Sequence, residues 1–232
     1  MYTILKPHVS LAILFSALLH DIRHPGNTNS YEVNSRSTLA LLYNDASVLE
    51  QYHCSTAVDI LYKSELLDDG FSQNELNEIR KTIILSILGT DMEKHESIVK
   101  LIDTLNRDMT NIEDQYNMAK VLVHCADLSN PTRKFIQSYE WSRRIKQELY
   151  RQGLKEDILG INSFQGMKVK DLRTNAGNEI LFILFMIKPL WTRMSTLFTK
   201  LAFANENIEY NLRKWRSIID DINHSGDNPI WI

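Results

Sequence analysis

The chain has 232 residues, of which 44% are hydrophobic and 24% charged, with only 8 Gly and 5 Pro, so disordered, collagen-like and low-complexity classes are excluded. Its 26 basic and 29 acidic residues give a formal net charge of −3, which gives no reason to expect binding to nucleic acid or to an anionic membrane. Two cysteines are too few for a disulfide framework or a thiolate zinc site, and we expect a reducing, cytoplasmic location. At about 100–200 residues per domain, residues 1–232 are expected to form a single domain.

The hydrophobic pattern predicts helices along almost the whole chain. Residues 9–19 have the length of a signal-peptide core but no small-residue cleavage site, so we expect a helix packed in a globular core rather than a membrane span. The three-and-four spacing of an amphipathic helix is followed by Leu76, Ile79, Ile83, Ile84, Ile87 and Leu88. Pro25, Pro131 and Gly153 are expected to mark helix ends, and residues 154–177 to form a long irregular loop. The prediction is an all-α fold.

The sequence His-Asp-Ile-Arg-His-Pro-Gly at residues 20–26 places an imidazole and a carboxylate side by side at the end of an apolar helix. Adjacent helical residues diverge by about 100°, so His20 and Asp21 share no helix face, but both can converge on metal ions at the helix end. Imidazole suits Zn²⁺, and a carboxylate can bridge it to a harder ion such as Mg²⁺. The alternative is that the pair serves as surface or helix-capping residues.

Residues 123–132 form a second motif, in which Asp127 ends another apolar helix within an otherwise uncharged stretch. A carboxylate among Cys, Ala and Leu is costly to bury unless it is paired or bound to a metal. The alternative is that Asp127 caps a turn together with Ser129 and Asn130.

These motifs belong to a longer series that makes the chain recognisable, at residues 20–29, 39–53, 90–95, 124–132 and 187–191. From about Leu11 to Asp221, the chain resembles the catalytic domain of the class I cyclic nucleotide phosphodiesterases, the all-helical enzymes that hydrolyse cyclic AMP and cyclic GMP. Several unlinked motifs in the right order make this resemblance specific. It implies a compact multi-helix catalytic domain of the HD type.

The resemblance implies a two-ion metal site. His20, Asp21 and Asp127 match the family's metal ligands, with Asp21 at the position that bridges the ions. The ions are expected to be Zn²⁺ and Mg²⁺, or Mn²⁺ in place of Mg²⁺. They would bind the phosphate oxygens and activate water for attack on phosphorus.

Further catalytic positions implied by the resemblance are His24, Asn29, Glu50 and Thr90, which would orient the ligands and the water. For Glu50 and Thr90, the alternative is ordinary use at a surface and a helix end. One departure concerns an upstream motif that supplies two histidines in the family, one of them a metal ligand and one the general acid. Only 19 residues precede His20, so this motif would fall before Met1, and we expect impaired activity of this partial domain.

The resemblance also implies a nucleotide pocket. Phe182 matches the aromatic residue that stacks on the purine, Ile145 the apolar residue on its other face, and Asn130 a polar lining residue, with plain core packing as the alternative for the first two. Glu179 stands where the family has a purine-selecting glutamine, three residues before Phe182. An ionised Glu179 can only accept hydrogen bonds, so we expect it to handicap cyclic AMP more than cyclic GMP. In a shifted register, Asn178 would take its place.

The predicted function is metal-dependent hydrolysis of cyclic AMP, cyclic GMP or both to 5′-monophosphates. One alternative is a non-catalytic relative that binds cyclic nucleotides or serves as a scaffold, and another is a different metal-dependent phosphohydrolase. We expect no nucleic-acid partner and no membrane span, and a homodimer is compatible with the resemblance.

Overall fold

The computed structural model describes residues 5–67, 70–105, 109–162 and 165–232. The chain divides into two compact units, one ending at Asp127 and the other beginning at Leu128, and each is described by itself. Secondary structure in the described residues consists of helices, apart from an isolated antiparallel bridge between Asp171 and Ile230. The prediction of an all-α fold is confirmed, and that of one domain over residues 1–232 stays a prediction.

The first unit is a helical bundle with α5 at its centre. Its helices are α1 (Pro7–Leu19), α2 (Asn29–Asn34), α3 (Thr38–Leu42), α4 (Val48–Lys63), α5 (Gln73–Leu88), α6 (His95–Thr104) and α7 (Ile112–Asp127), with a 3₁₀ turn at Met92–Lys94. Helix α5 packs against α1, α4 and α7, and α1 also packs against α7.

Local sequence signals explain where the central helices begin. The Ser72 hydroxyl accepts a hydrogen bond from the Glu75 backbone N–H while the Glu75 carboxylate accepts one from the Ser72 N–H, a capping box at the start of α5. Pro7 lies in the first turn of α1, where its fixed φ favours the helix and its missing N–H costs nothing. The buried face of α5 then meets Ala12 of α1 and Ala57 of α4 in one apolar core.

Helix α1 confirms the helix predicted over residues 9–19, but it buries one face and not its whole circumference. Val9 and Ala12 are fully buried, whereas Leu14 and Leu18 are 68% and 77% exposed. The packing of α1 and α7 brings their carboxyl-terminal ends together, since His20 directly follows α1 and Asp127 ends α7.

The second unit contains the remaining helices. They are α8 (Phe135–Leu159), α9 (Leu172–Phe182), α10 (Lys188–Leu197) and α11 (Ala202–Ser225), with 3₁₀ turns at Asn130–Thr132, Gln165–Lys168 and Thr199–Leu201. Helix α11 packs against α8, α9 and α10. It also holds the first 3₁₀ turn, because the buried Asn211 amide donates hydrogen bonds of 2.9 Å to the carbonyls of Pro131 and Arg133.

The prediction of an irregular loop over residues 154–177 is largely wrong. Residues 163–164 of that range lie outside the described residues. Helix α8 continues to Leu159, and α9 begins at Leu172 after the Asp171 side chain caps it. Gly153 is not a helix end but lies inside α8, where a Cβ atom would meet Lys168 Cγ at 2.7 Å. Its missing side chain allows the turn at Gln165–Lys168 to approach the helix. The helix ends instead at Gly160, whose φ of +67° suits a glycine cap.

Helices α9 and α10 are joined by a π-helical turn at Ile183–Ile187. The Lys188 N–H bonds to the Ile183 carbonyl, five residues back, just before Pro189 interrupts the α-helical hydrogen bonding. By length and composition, the joined stretch Leu172–Leu197 is apolar enough to cross a membrane, a criterion that core helices also meet. One side of it packs against α11, whereas Leu181 and Phe185 are 54% and 71% exposed.

Candidate active site

The three sequence-predicted metal ligands, His20, Asp21 and Asp127, lie together at the joined ends of α1 and α7. The His20 Nδ1–H donates to the Ala17 carbonyl at 3.0 Å, so the other ring nitrogen, Nε2, faces the carboxylates. His20 Nε2 is 3.3 Å from Asp127 Oδ1 and 3.4 Å from Asp21 Oδ2. A ring nitrogen fixed by a backbone carbonyl and two converging carboxylate oxygens form a donor set suited to a divalent cation.

The electrostatics of this group favour a cation. Burial by itself would lower the pKa of His20, but the hydrogen bond and charge of Asp127, with the charge of Asp21, raise it to about 9. The two carboxylates therefore hold a proton on the imidazole at neutral pH. A metal ion binding here would displace that proton, because only the deprotonated nitrogen can be a ligand.

The other carboxylate oxygen of Asp21, Oδ1, faces a second group of possible ligands, His24 and His53. Asp21 Oδ1 is 3.8 Å from His53 Nε2, and His53, His24 and Asp21 each offer a ligand atom within 4.8 Å of the others. The same spacing holds for the set of His20, Asp21 and Asp127. Asp21 is common to both sets, so its carboxylate is placed to bridge two ions. That His20, Asp21 and Asp127 ligate ions stays a prediction.

Sequence reasoning missed His53. It lies on α4, three residues after Glu50, on the helix face that also carries the buried Leu49 and Cys54. Burial lowers the pKa of His53, which keeps the ring neutral. The available signal was a histidine one helical turn from a predicted catalytic glutamate, a spacing that places both side chains on one side of α4.

The remaining catalytic candidates of the first unit are held by hydrogen bonds. The Asn29 amide donates to Glu50 Oε2 at 2.9 Å, and its carbonyl oxygen accepts from the Leu49 N–H at 2.9 Å. Burial raises the pKa of Glu50, and the hydrogen bond from Asn29 opposes that effect. The Thr90 hydroxyl, just after α5, donates to the Ile87 carbonyl at 2.7 Å. Its oxygen is thus left as an acceptor.

His24 is exposed and oriented by the turn that follows it. Its Nδ1 accepts a hydrogen bond of 3.0 Å from the Gly26 N–H, so in the neutral ring the proton is on Nε2. The ring stacks on that of His53, with centroids 5.6 Å apart. His24 is therefore placed as a hydrogen-bond donor toward solvent or a bound anion.

The four nucleotide-binding candidates all lie in the second unit. Asn130 begins a 3₁₀ turn, and its buried Oδ1 accepts no hydrogen bond from the described residues. Ile145 lies on α8 and is 48% exposed, and Phe182 is the partly buried last residue of α9. Glu179 is buried one turn before Phe182. Their contact with a nucleotide stays a prediction.

Glu179 has a partner that the sequence did not indicate. Lys146 Nζ on α8 lies 3.8 Å from Glu179 Oε1, and both side chains are largely buried. Burial raises the pKa of Glu179, while the charge of Lys146 and the Ser142 hydroxyl lower it. The net effect is a raised pKa of Glu179, because the cost of burying the carboxylate outweighs the opposing effects of Lys146 and Ser142.

Comparison with known proteins identifies the family. A sequence model of the 3′5′-cyclic nucleotide phosphodiesterases matches residues 1–208. The 3′,5′-cyclic-nucleotide phosphodiesterase regA of Dictyostelium discoideum is 32% identical over 216 residues, covering 90% of this chain and 27% of the relative. The human dual specificity calcium/calmodulin-dependent 3′,5′-cyclic nucleotide phosphodiesterase 1B is 31% identical over 225 residues, covering 94% of this chain and 42% of the relative.

Solved structures agree. The phosphodiesterase domain of the RhoPDE fusion protein from the choanoflagellate Salpingoeca rosetta matches with a TM-score of 0.91 and 34% identity, covering 96% of this chain and 73% of that one. The chain spans less than half the length of the two curated relatives named above. With the family match extending over most of its residues, the chain belongs to the 3′5′-cyclic nucleotide phosphodiesterase family.

Proposed function

We propose that this chain hydrolyses the 3′,5′-cyclic phosphodiester of a purine nucleotide to the 5′-monophosphate, using two divalent cations. The observation that carries the proposal is Asp21, whose two carboxylate oxygens face two separate sets of ligand atoms. Family membership supports the same reaction. We propose Zn²⁺ for the position beside His20 and Asp127.

The chemistry divides between the ions and the side chains of the first unit. Two bound cations would polarise the phosphodiester and supply a nucleophile derived from water, which attacks phosphorus while the bond to O3′ breaks and O3′ takes up a proton. His20, Asp21 and Asp127 would hold the ions. His24 presents an N–H toward solvent, where it can donate to a phosphate oxygen. The hydrogen bond from Asn29 fixes the orientation of the Glu50 carboxylate.

We propose that Glu179 and Lys146 take part in selecting the purine. The Glu179 carboxylate can accept from the N1–H and N2–H donors of guanine, whereas the adenine ring nitrogen N1 offers only an acceptor and is repelled. This proposal favours cyclic GMP over cyclic AMP. Its support is the Lys146 ammonium, which lies 3.8 Å from Glu179 Oε1 and opposes the effect of burial on the carboxylate.

The Glu179→Gln variant is expected to raise kcat/KM for cyclic AMP relative to cyclic GMP by about fivefold, because a glutamine amide can donate to adenine N1 and one buried hydrogen bond contributes about 1 kcal/mol. The measurement is kcat/KM for both nucleotides. Glu148→Gln on the exposed side of α8 is the control and should leave the ratio unchanged. An unchanged ratio in Glu179→Gln would remove Glu179 from purine selection.

The proposed function is tested by metal analysis of the purified chain combined with hydrolysis assays on cyclic AMP and cyclic GMP. Two divalent ions per chain and release of the 5′-monophosphate are expected. Metal binding without turnover would favour a non-catalytic binding protein. Neither metal nor turnover would overturn the proposal and favour a scaffold.

A further inference from the structure

We infer that residues 226–232, which follow α11, form a strap that caps the start of α9, and that Trp231 in this strap is a positioning residue for nucleotide binding. The inference rests on the proposed function in one respect, that Glu179 and Phe182 of α9 contact the nucleotide. The strap lies outside residues 1–208, which the family model matches, so the family match assigns it no role.

The strap supplies hydrogen-bond acceptors to the first turn of α9. The backbone N–H groups in the first turn of a helix have no acceptor within the helix itself. The Leu172 N–H donates to the Pro229 carbonyl at 3.0 Å, and the Arg173 N–H donates to Asn228 Oδ1 at 3.0 Å. Both acceptors belong to the strap, so residues outside α9 complete two of the hydrogen bonds that its start requires.

The strap also orients the side chain that caps α9. Asp171 Oδ1 accepts the Thr174 N–H at 2.8 Å, as an N-cap side chain does, and it also accepts the Asn228 amide at 3.0 Å. Partial burial raises the pKa of Asp171, but the hydrogen bonds from Asn228 and Thr174 outweigh that effect and lower the pKa below its usual value. The charged carboxylate that results is favoured at the positive end of the helix dipole.

Trp231 anchors the strap in the core of the second unit. Its backbone N–H donates to the Lys170 carbonyl at 2.8 Å, just before α9, and its side chain is largely buried. The indole ring meets Tyr139 of α8 edge to face, with centroids 5.1 Å apart, and Trp215 of α11 at 5.7 Å. Such aromatic pairs stabilise beyond the area that they bury. Removing this side chain should therefore release the strap from both helices.

Trp231 connects the two helices that carry the ion pair of Lys146 and Glu179. Lys146 lies two helical turns after Tyr139 on α8, and Glu179 lies two turns after Leu172 on α9. The pair joins the helices, with 3.8 Å between Lys146 Nζ and Glu179 Oε1. Because Trp231 contacts α8 through its ring and the strap binds α9 through hydrogen bonds, the strap limits how far the two helices can separate.

Release of the strap should reduce nucleotide affinity without slowing the chemical step. When the start of α9 frays, Glu179 and Phe182 are correctly placed in only a fraction of the molecules, and the apparent affinity falls by that fraction. The proposed metal ligands lie on helices of the first unit, so a bound nucleotide should react at the normal rate. A raised KM with an unchanged kcat is the signature of this role.

The test is Trp231→Ala in the full chain, with amide hydrogen exchange and steady-state kinetics as readouts. Exchange at the Leu172 and Arg173 amides, measured by nuclear magnetic resonance, should become about five- to tenfold faster, which is the effect of losing a helix cap. KM for cyclic GMP should rise about threefold or more, while kcat stays within about twofold of the wild type. Circular dichroism shows whether the variant is folded.

Three further variants separate positioning from a plain loss of stability. Trp231→Phe should restore both readouts, because the indole N–H has no hydrogen-bond partner among the described residues and a phenyl ring keeps the aromatic contacts. Asn228→Ala removes the hydrogen bond to Arg173 from an exposed position, and it should raise exchange and KM even where Trp231→Ala fails to fold. Ile230→Ala is the matched control, since Ile230 lies in the strap but is 75% exposed, and it should change neither readout.

The outcome separates from that of the proposed function. Unchanged exchange in a folded Trp231→Ala, or in Asn228→Ala where the first variant does not fold, overturns the inference. Hydrolysis with a KM that neither variant changes keeps the function and discards the positioning role. Binding of cyclic GMP without hydrolysis, with a dissociation constant that rises in the variants, keeps the positioning role and discards the function.

Discussion

Replacing Asp21 by Asn should remove at least one bound ion and lower kcat/KM for cyclic nucleotides by about a thousandfold or more, because a metal ion contributes several kcal/mol of transition-state stabilisation. Both oxygens of Asp21 are used, one facing His20 and the other facing His53. An asparagine offers one carbonyl oxygen and an NH₂ group that cannot bind a cation. Losing the bridge therefore weakens both positions at once.

The Asp21→Asn prediction is checked by metal content, steady-state kinetics with cyclic AMP and cyclic GMP, and circular dichroism. Asp59→Asn is a matched control, since Asp59 is exposed on α4 and pairs only with Lys63 in the contacts of the described residues. It should retain both ions and full activity. Retention of two ions and normal kcat/KM by Asp21→Asn would show that Asp21 does not bridge.

The parts of this site that could be predicted from the sequence are those whose residues stand close together in the chain. His20 and Asp21 are adjacent and stand in a distinctive motif, so their pairing was visible in the sequence. Asp127 lies 107 residues from His20, and the two meet because α1 and α7 pack side by side on α5. The periodicity predicted the helices, but only their packing fixes which ends meet.

The sequence offered no local signal for Lys146, and for His53 only its position one helical turn after Glu50. A histidine on the buried face of an amphipathic helix resembles an ordinary core residue in the sequence. The orientation of the His53 ring depends on a hydrogen bond to the Ile22 carbonyl, which lies in another segment. Lys146 matters because Glu179 faces it from α9. Gly153 misled the prediction of a helix end because its missing side chain serves a close approach by Lys168 and not a change of backbone direction.

The free energy of unfolding is expected to depend strongly on pH because of a buried pair of histidines, His95 and His124. His124 lies on α7, three residues before Asp127. His95 Nδ1 and His124 Nε2 lie 2.9 Å apart, and both rings are buried. Burial, followed by the charge of His95, lowers the pKa of His124 to about 4, against a partial opposing effect of Asp127. His124 is therefore neutral in the folded protein under conditions where an unfolded chain would protonate it.

The direction in which the free energy of unfolding changes with pH follows from the number of protons that each state binds. Between pH 6.5, the ordinary histidine pKa, and about 4, the unfolded state binds a proton at His124 that the folded state does not, so the free energy of unfolding falls as the pH falls. A pKa lowered from 6.5 to about 4 corresponds to a loss of about 3 kcal/mol across that window. The raised pKa of His20 acts in a different window, between 6.5 and about 9, where stability falls as the pH rises.

His124→Gln isolates the effect. The variant should be less stable than the wild type at pH 7, where it loses the hydrogen bond to His95, but the difference should shrink toward pH 4 because glutamine does not titrate. Urea unfolding in metal-free buffer at pH 7, 6, 5 and 4 gives both curves, with His224→Gln as the exposed control. An equally steep loss of stability in His124→Gln would mean that another buried group, and not His124, takes up the proton. A flatter curve would show that part of the acid sensitivity originates at His124, three residues before the predicted metal ligand Asp127.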